Sequence, residues 1–199
     1  MKKVILATQN LGKIREFKQI MAHYPFEVMS LLDLADDEAI EETGTTFEEN
    51  ALIKARAIAL KYKVTVIADD SGLEIDALDG APGVYSARYA GKMRSDDANM
   101  DKVLTEMVDV PRKDRTARFV CVLAMVDEHG KETVLRGTCE GEIWEKKCGN
   151  NGFGYDPIFY LPPFKQTMAQ LSNVQKNRIS HRADALRRLE RIMGMGDDE

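Results

Sequence analysis

Disulfide chemistry has little to work with in this sequence. Its 199 residues carry three cysteines, Cys121, Cys139 and Cys148, an odd number, widely spaced and without a Cys-x-x-Cys pair. That pattern argues against a disulfide framework and against a cysteine-based zinc site, and leaves buried free thiols as the simplest reading. Histidine is equally sparse. His23, His129 and His181 show no paired spacing that would mark an imidazole metal centre. Long apolar runs are missing too. Met1-Lys2-Lys3 leads into only Val4-Ile5-Leu6-Ala7, far short of a signal-peptide core or a membrane span, so a cytoplasmic protein without a membrane partner is expected. Net positive charge is also absent. A formal charge of −5 does not suit a protein that coats nucleic acid, although it leaves room for a local basic pocket. No internal repeat, low-complexity tract or Pro/Ser-rich linker interrupts the chain. What is present is ordinary for a globular protein, with 44% hydrophobic and 31% charged residues. A chain of this length buries roughly 70% of its unfolded surface without a covalent staple. One domain over residues 1–199 is expected, with room for two lobes and a frayed acidic tail at 194–199.

Hydrophobic periodicity sets the element order. Residues 3 to 8 read as a buried strand, followed by a helix with Leu11, Ile14, Phe17 and Met21 on its apolar face. A second apolar run covers Phe26 to Leu32. After an acidic segment, Thr46 and Glu49 can form a capping box for a helix reaching Tyr62. Thr65 to Ala68 and Leu73 to Leu78 read as two short strands with the acidic pair Asp69-Asp70 in the turn between them. Ser95 caps a helix to about Val108. Arg115 to Val126 and Glu132 to Glu145 form a long hairpin, Gly149 to Gly154 a loop, and Ser180 opens a final helix facing a core through Ala183, Leu186, Leu189 and Met193. Helices interleaved with strands, plus a hairpin, imply an α/β fold with a mixed sheet.

Five segments carry chemistry. Thr8-Gln9-Asn10-Leu11-Gly12-Lys13 hands a strand to a helix, whose start favours an anion, and Lys13 adds positive charge; a plain capped helix would look the same. Asp69-Asp70-Ser71-Gly72 sets two carboxylates side by side, which is costly without a cation or proton. Oxygen donors of this kind suit Mg²⁺, which takes one or two protein carboxylates plus substrate phosphates; a solvated turn is the bland alternative. Glu41 and Glu42 precede a helix with Lys54 and Arg56, so a carboxylate and an ammonium can join the same cluster. Gly152-Phe153-Gly154-Tyr155-Asp156-Pro157 offers aromatic faces between glycines, suited to stacking on a base or simply to shaping a turn. Lys176 with Ser180-His181-Arg182 can donate to phosphate or to a carbonyl oxygen.

In this order, the segments resemble the inosine/xanthosine triphosphate pyrophosphatase family. The likeness rests on Thr8-x-Asn10-x-x-Lys13, Glu42-Thr43-Gly44-x-Thr46-Phe47-x-Glu49-Asn50-Ala51, Ala68-Asp69-Asp70-Ser71-Gly72-Leu73, Gly80-Ala81-Pro82-Gly83-Val84-Tyr85-Ser86-Ala87-Arg88-Tyr89, Gly152 to Pro157 and Ser180-His181-Arg182, which together span nearly the whole chain. Cys148-Gly149-Asn150-Asn151 departs from the family's usual approach to the aromatic loop. The resemblance implies a two-lobed α/β fold around an elongated mixed sheet with flanking helices and a nucleotide cleft between the lobes, and a homodimer. It implies that Thr8, Gln9, Asn10, Leu11, Gly12 and Lys13 hold the triphosphate and that Glu42 and Asp70 bind Mg²⁺. Asp70 would also be the catalytic proton acceptor. Ser71 would contact substrate and Lys54 the phosphates. Phe153, Gly154, Tyr155 and Asp156 would flank the base, with Lys176, His181 and Arg182 completing the pocket.

The expected activity is therefore hydrolysis of ITP, dITP and XTP to the nucleoside monophosphate and pyrophosphate. Three rivals remain open on sequence alone. A phosphohydrolase releasing single terminal phosphates would share the acidic site, a nucleotide sensor would bind without turnover, and a nucleic-acid module would use Arg182, Arg187, Arg188 and Arg191, a face that Asp184 and Glu190 interrupt.

Overall fold

Eleven consecutive residues, Thr65–Ile75, form a single strand in the computed structural model, which describes residues 2–22, 24–38 and 40–192. Along the chain the elements are β1 (Lys2–Leu6), α1 (Leu11–Met21), β2 (Phe26–Ser30), α2 (Phe47–Tyr62), β3 (Thr65–Ile75), α3 (Asp96–Glu106), β4 (Thr116–Val126), β5 (Glu132–Ile143), β6 (Phe159–Leu161), β7 (Gln166–Thr167), α4 (Asn173–Ile179) and α5 (His181–Ile192). One seven-stranded sheet runs in the order β2-β1-β3-β4-β5-β6-β7. Its β1 pairs parallel with β2 and β3, whereas β6 pairs antiparallel with β5 and β7, so the fold is α/β with a mixed sheet, as the interleaved pattern implies.

The chain divides into two units. The first comprises residues up to Asp70, Cys121–Gly137 and the chain from Arg182; the second comprises Ser71–Val120 and Thr138–His181. Strands β3, β4 and β5 each contribute to both. In the first unit, Val4 and Leu6 of β1, Ile67 of β3 and Cys121 and Leu123 of β4 pack with Phe17 and Met21 of α1 and with Ala185, Leu186 and Leu189 of α5. In the second, Leu73 and Ile75 of β3 join Met100 and Val103 of α3, Phe119 of β4, Ile143 of β5 and Phe159 of β6. These apolar sets are the positions a 3.6-residue or 2-residue period turns inward.

Several local expectations change. The acidic pair does not sit in a turn between two strands: it lies inside β3, where Thr65 to Asp70 are all buried. Turn-forming side chains yield here to the sheet, with β1 pairing alongside through Val4–Thr65, Ile5–Val66 and Leu6–Ile67. The strand ends at Ile75, and Asp76–Leu78 make a 3-10 turn. Leu11 is 64% exposed. At 3.6 residues per turn it stands about 90° from the centre of the face set by Ile14, Phe17 and Met21. Cys121 and Cys139 are buried free thiols, but Cys148 is only half-buried. Lys176 belongs to α4, a separate seven-residue helix capped by Ser172 and Gln175, which a short segment with only two apolar residues, Val174 and Ile179, does not announce. Met193 and the expected tail at 194–199 lie outside the described residues.

Candidate active site

The first unit assembles its charged groups from local caps and long-range packing. After β1, the Asn10 side chain caps α1 by accepting from the N–H groups of Gly12 at 2.9 Å and Lys13 at 3.1 Å. Thr8 Oγ1 accepts from Asn10 N–H at 3.2 Å, and Gln9 Nε2 donates to the Asp36 carbonyl at 3.0 Å. The helix start expected to receive an anion thus already serves its own cap. Lys13 Nζ lies 2.9 Å from Asp69 Oδ2.

Glu42 is placed by the N-terminus of α2. The expected capping box of Thr46 and Glu49 forms, and buried Asn50 accepts from Gly44 N–H at 2.8 Å. A β-carbon on Gly44 would come within 2.6 Å of the Glu49 Cβ and 2.7 Å of Asn50 Oδ1, so only glycine lets this loop fold back onto its helix. The returning loop brings Glu42 Oε1 to 2.6 Å from Lys54 Nζ. The same ammonium donates to the Asp69 carbonyl at 2.6 Å and stands 3.9 Å from Asp70 Oδ1.

Strand geometry separates the two aspartates, since neighbouring side chains leave opposite faces of a sheet. The Asp69 carboxylate meets Lys13 and, at 4.0 Å, the Arg182 Nε; Arg182 Nη1 donates in turn to Glu16 Oε2 at 2.6 Å. Burial alone pushes Asp69 upward, but Lys13, Arg182 and Lys54 outweigh it and hold this acid well below the carboxylate range. Burial likewise opposes the charge on Arg182, and Glu16 and Asp69 reverse it. Asp70 differs. Burial raises its carboxyl to about 6, with Lys54 and Lys13 opposing and Glu42 and Asp69 adding to the rise. Glu42 is pushed up by burial but brought down overall by Lys54 and then Lys13, and the Lys54 ammonium, despite its burial, is held protonated by Asp69, Asp70 and Glu42.

Magnesium calls for hard oxygen donors. The described residues contain no group of three or more His, Cys, Asp or Glu placed to enclose a metal ion. The donors at hand are hard carboxylate oxygens of Glu42 and Asp70 around a position already served by a cation, Lys54. They fit an ion that takes one or two carboxylates and fills its remaining positions with water and phosphate oxygen.

The second unit holds the segments expected at the base. Phe153 N–H donates to Asp156 Oδ2 at 3.0 Å, and Lys176 Nζ reaches the same oxygen at 2.5 Å while standing 4.9 Å from the centre of the Phe153 ring. Phe153 is half-buried, whereas Asp156 and Lys176 are buried. Gly154 N–H donates to Asp96 Oδ2 at 2.8 Å. Tyr155 is a support for the loop: its ring sits in the core, and its hydroxyl donates to the Ser86 carbonyl at 2.7 Å. Burial pushes the Tyr155 phenol well up. His181 is buried and stacks on Phe119 at 5.0 Å between centroids. Ser71 is half-buried on β3.

Within the first unit, then, Lys13, Glu42, Lys54, Asp70 and Arg182 come together, and within the second, Phe153, Asp156 and Lys176 do. The sequence does not announce Glu16, and it marks Asp96 only as part of the α3 start that Ser95 caps. Nothing in the spacing of α1 marks Glu16, which is buried among apolar neighbours only because α5 brings Arg182 to it. Arg187 and Arg188, part of the basic face of α5, pair with Asp184 at 3.5 and 3.0 Å.

A mixed α/β sheet whose first unit gathers carboxylates around Lys13 of the first turn of α1 and Lys54 of the middle of α2 defines the class of the fold and of its charged cluster. More narrowly, the model of the Ham1 family matches residues 4–192, and the chain belongs to that family. It is 56% identical over 193 residues to the dITP/XTP pyrophosphatase of Oceanobacillus iheyensis, covering 96% of this chain and 98% of that protein. It is 53% identical over 192 residues to the dITP/XTP pyrophosphatase of Bacillus cereus, covering 96% and 94%. Among solved structures, the Ham1 protein of Staphylococcus aureus is 49% identical and superposes with a TM-score of 0.86 over 97% of this chain and 98% of that one. A HAM1 protein from Coxiella burnetii is 41% identical with a TM-score of 0.87 over 98% and 100%.

Proposed function

We propose that this protein is a Mg²⁺-dependent pyrophosphatase that hydrolyses ITP, dITP and XTP to the nucleoside monophosphate and pyrophosphate, clearing deaminated purines from the nucleotide pool. The observation that carries the reading is the arrangement of half-buried Glu42 with buried Lys54 and Asp70, with Lys13 close by on Asp69. Relatives named dITP/XTP pyrophosphatase, matched over nearly their full length, support the substrate class. When bound, Mg²⁺ would supply positive charge to the triphosphate oxygens, and Glu42 and Asp70 are the residues that would hold it.

Every other part of the chemistry falls to side chains of the chain. Asp70, with its carboxyl raised to about 6, accepts a proton near neutral pH. As it takes that proton from water, the water oxygen bonds to the α-phosphorus, and the bond from that phosphorus to the αβ-bridging oxygen breaks. Pyrophosphate leaves with the electron pair. Lys13 and Lys54 offset its charge, and Arg182, committed to Glu16 and Asp69, holds Asp69 and through it Lys13 in place. Base recognition is assigned to the Phe153 ring for stacking and to the Lys176 ammonium, a donor-only group, for the 6-oxo oxygen. Adenine would present an amino donor to a donor, and buried groups left unpaired cost on the order of 1–3 kcal/mol each. A cytoplasmic homodimer completes the reading; among the described residues no helix is long and apolar enough to cross a membrane.

The deciding assay is product analysis on ITP, dITP, XTP and ATP with and without Mg²⁺. Pyrophosphate from the first three, lost without metal and in Asp70→Asn, is expected. Orthophosphate as the product, or wild-type turnover in a folded Asp70→Asn protein, would overturn the assignment.

A further inference from the structure

We propose that Lys54 is a built-in counter-cation that occupies the metal's electrostatic place in the substrate-free protein and must be handed to phosphate before Mg²⁺ can bind tightly, so that metal and triphosphate bind synergistically. The inference rests on the pyrophosphatase reading and adds an exchange of partners within that site.

The geometry points to the exchange. Lys54 Nζ lies 2.6 Å from Glu42 Oε1 and 3.9 Å from Asp70 Oδ1, the two side chains assigned to the metal, and its side chain is only 11% exposed. A buried ammonium and a divalent cation cannot both rest against the same two carboxylates without strong repulsion in a medium that screens poorly. Leaving altogether is equally costly, because an unpaired ammonium does not stay charged in a buried setting. A third contact resolves the conflict. Lys54 also donates to the Asp69 main-chain carbonyl at 2.6 Å, an acceptor no metal assignment claims, and an ammonium carries three donors. Anchored there, Lys54 can release Glu42 and turn that donor toward an anion. Triphosphate is the anion that arrives with the metal.

Two consequences follow from this exchange. Without nucleotide, Lys54 has no anion to receive it and Mg²⁺ must compete with it, so the protein alone binds the ion weakly. With nucleotide, the displaced ammonium gains a partner, and by linkage each ligand must raise the affinity for the other by the same factor.

Calorimetric titration of the intact protein with Mg²⁺ tests this, without nucleotide and with a non-hydrolysable α,β-methylene ITP analogue. In the wild type the analogue should tighten Mg²⁺ at least tenfold beyond the affinity of Mg²⁺ for the analogue in solution. Lys54→Met should bind Mg²⁺ at least tenfold tighter than wild type in the nucleotide-free protein, and its coupling factor should fall toward one. Equal or weaker Mg²⁺ binding by a folded Lys54→Met protein overturns the proposal. Should that variant not fold, Lys54→Gln serves the same comparison, and independent binding of metal and analogue in the wild type overturns the exchange without any variant. The two readings fail differently. No Mg²⁺ binding even with analogue, together with no pyrophosphate release, removes the pyrophosphatase assignment; intact Mg²⁺-dependent release with uncoupled binding removes only the exchange.

Discussion

Two buried arginines, one in each unit, are neutralised in opposite ways. Arg182 in the first unit meets carboxylates, Glu16 at 2.6 Å and Asp69 at 4.0 Å. Arg115 in the second unit meets main-chain carbonyls instead: Met107 at 2.6 Å, Ile143 at 2.8 Å, Val110 at 3.2 Å and Trp144 at 3.3 Å. Burial lowers the Arg115 guanidinium, only partly countered by Glu145, whereas the acids around Arg182 raise it. The second unit therefore uses a cation as a staple for loops. The first uses cations to keep a set of acids ionised where water is scarce, a costly arrangement that stability alone does not call for, since apolar groups of similar volume often serve as well. Function is the economical explanation for keeping charge in the first unit.

Breaking that contrast gives the largest effect. Arg182→Met removes a buried cation from Glu16 and Asp69, leaving Asp69 to Lys13, and should cost about 3–5 kcal/mol at pH 7 in urea unfolding, the range for a broken buried pair. Asp69, held low in the folded protein, contributes stability above its unfolded value near 3.9 and loses it as pH falls further. With Arg182 gone its folded value rises from that low level, so the part of the deficit that Asp69 carries should shrink as pH falls below about 4. Arg115→Met leaves neutral carbonyls at hydrogen-bond distance and only the exposed Glu145 as a nearby charge, and its deficit should change little between about pH 7 and 3. Parallel pH profiles for the two variants would dissolve the comparison.

Asp70 sharpens it. Its carboxyl is raised to about 6 when folded, so ionising it penalises the fold: the penalty is absent below the unfolded value, grows between about 4 and 6 and is complete above 6. Asp70→Asn should thus melt higher than wild type at pH 7.5, by up to about 3 kcal/mol, and equally at pH 4. An inactive but stabilised variant would mark the site as strained for its task. The smallest effect belongs to the second unit. Phe153→Ala, at a half-buried ring, should leave unfolding nearly unchanged and weaken ITP binding by about 1–3 kcal/mol, read in KM.

Local signals in the sequence carried far. Thr46 and Glu49 announce the α2 start, Asn10 the α1 cap, and the long strand-like runs on either side of His129 the β4–β5 pair, because each is decided by neighbours a few residues away. Asp69-Asp70-Ser71-Gly72 misleads for the opposite reason. Its residue types favour a turn, and what they meet instead is the continuing sheet and, at the two aspartates, three cations from positions 13, 54 and 182, whose convergence no local window contains. The same distance hides Glu16. Tyr155 and Phe153 look alike in the sequence, two aromatics each preceded by a glycine, and only packing tells the half-exposed ring from the anchored one. The resemblance names candidate site residues, but which aspartate the cations neutralise is a matter of strand alternation and burial.

Gly152 bears on how this protein tolerates mutation. Its φ is +79°, and a β-carbon there would fall 1.9 Å from Asp156 Oδ2 and 3.1 Å from Lys176 Nζ. Any side chain at 152 would evict the ion pair that supports the Phe153 ring while leaving every charged residue in the gene unaltered. A lesion of that kind would read in a genetic screen as loss of a residue that makes no contact of its own, a silent position whose whole contribution is the space it leaves empty.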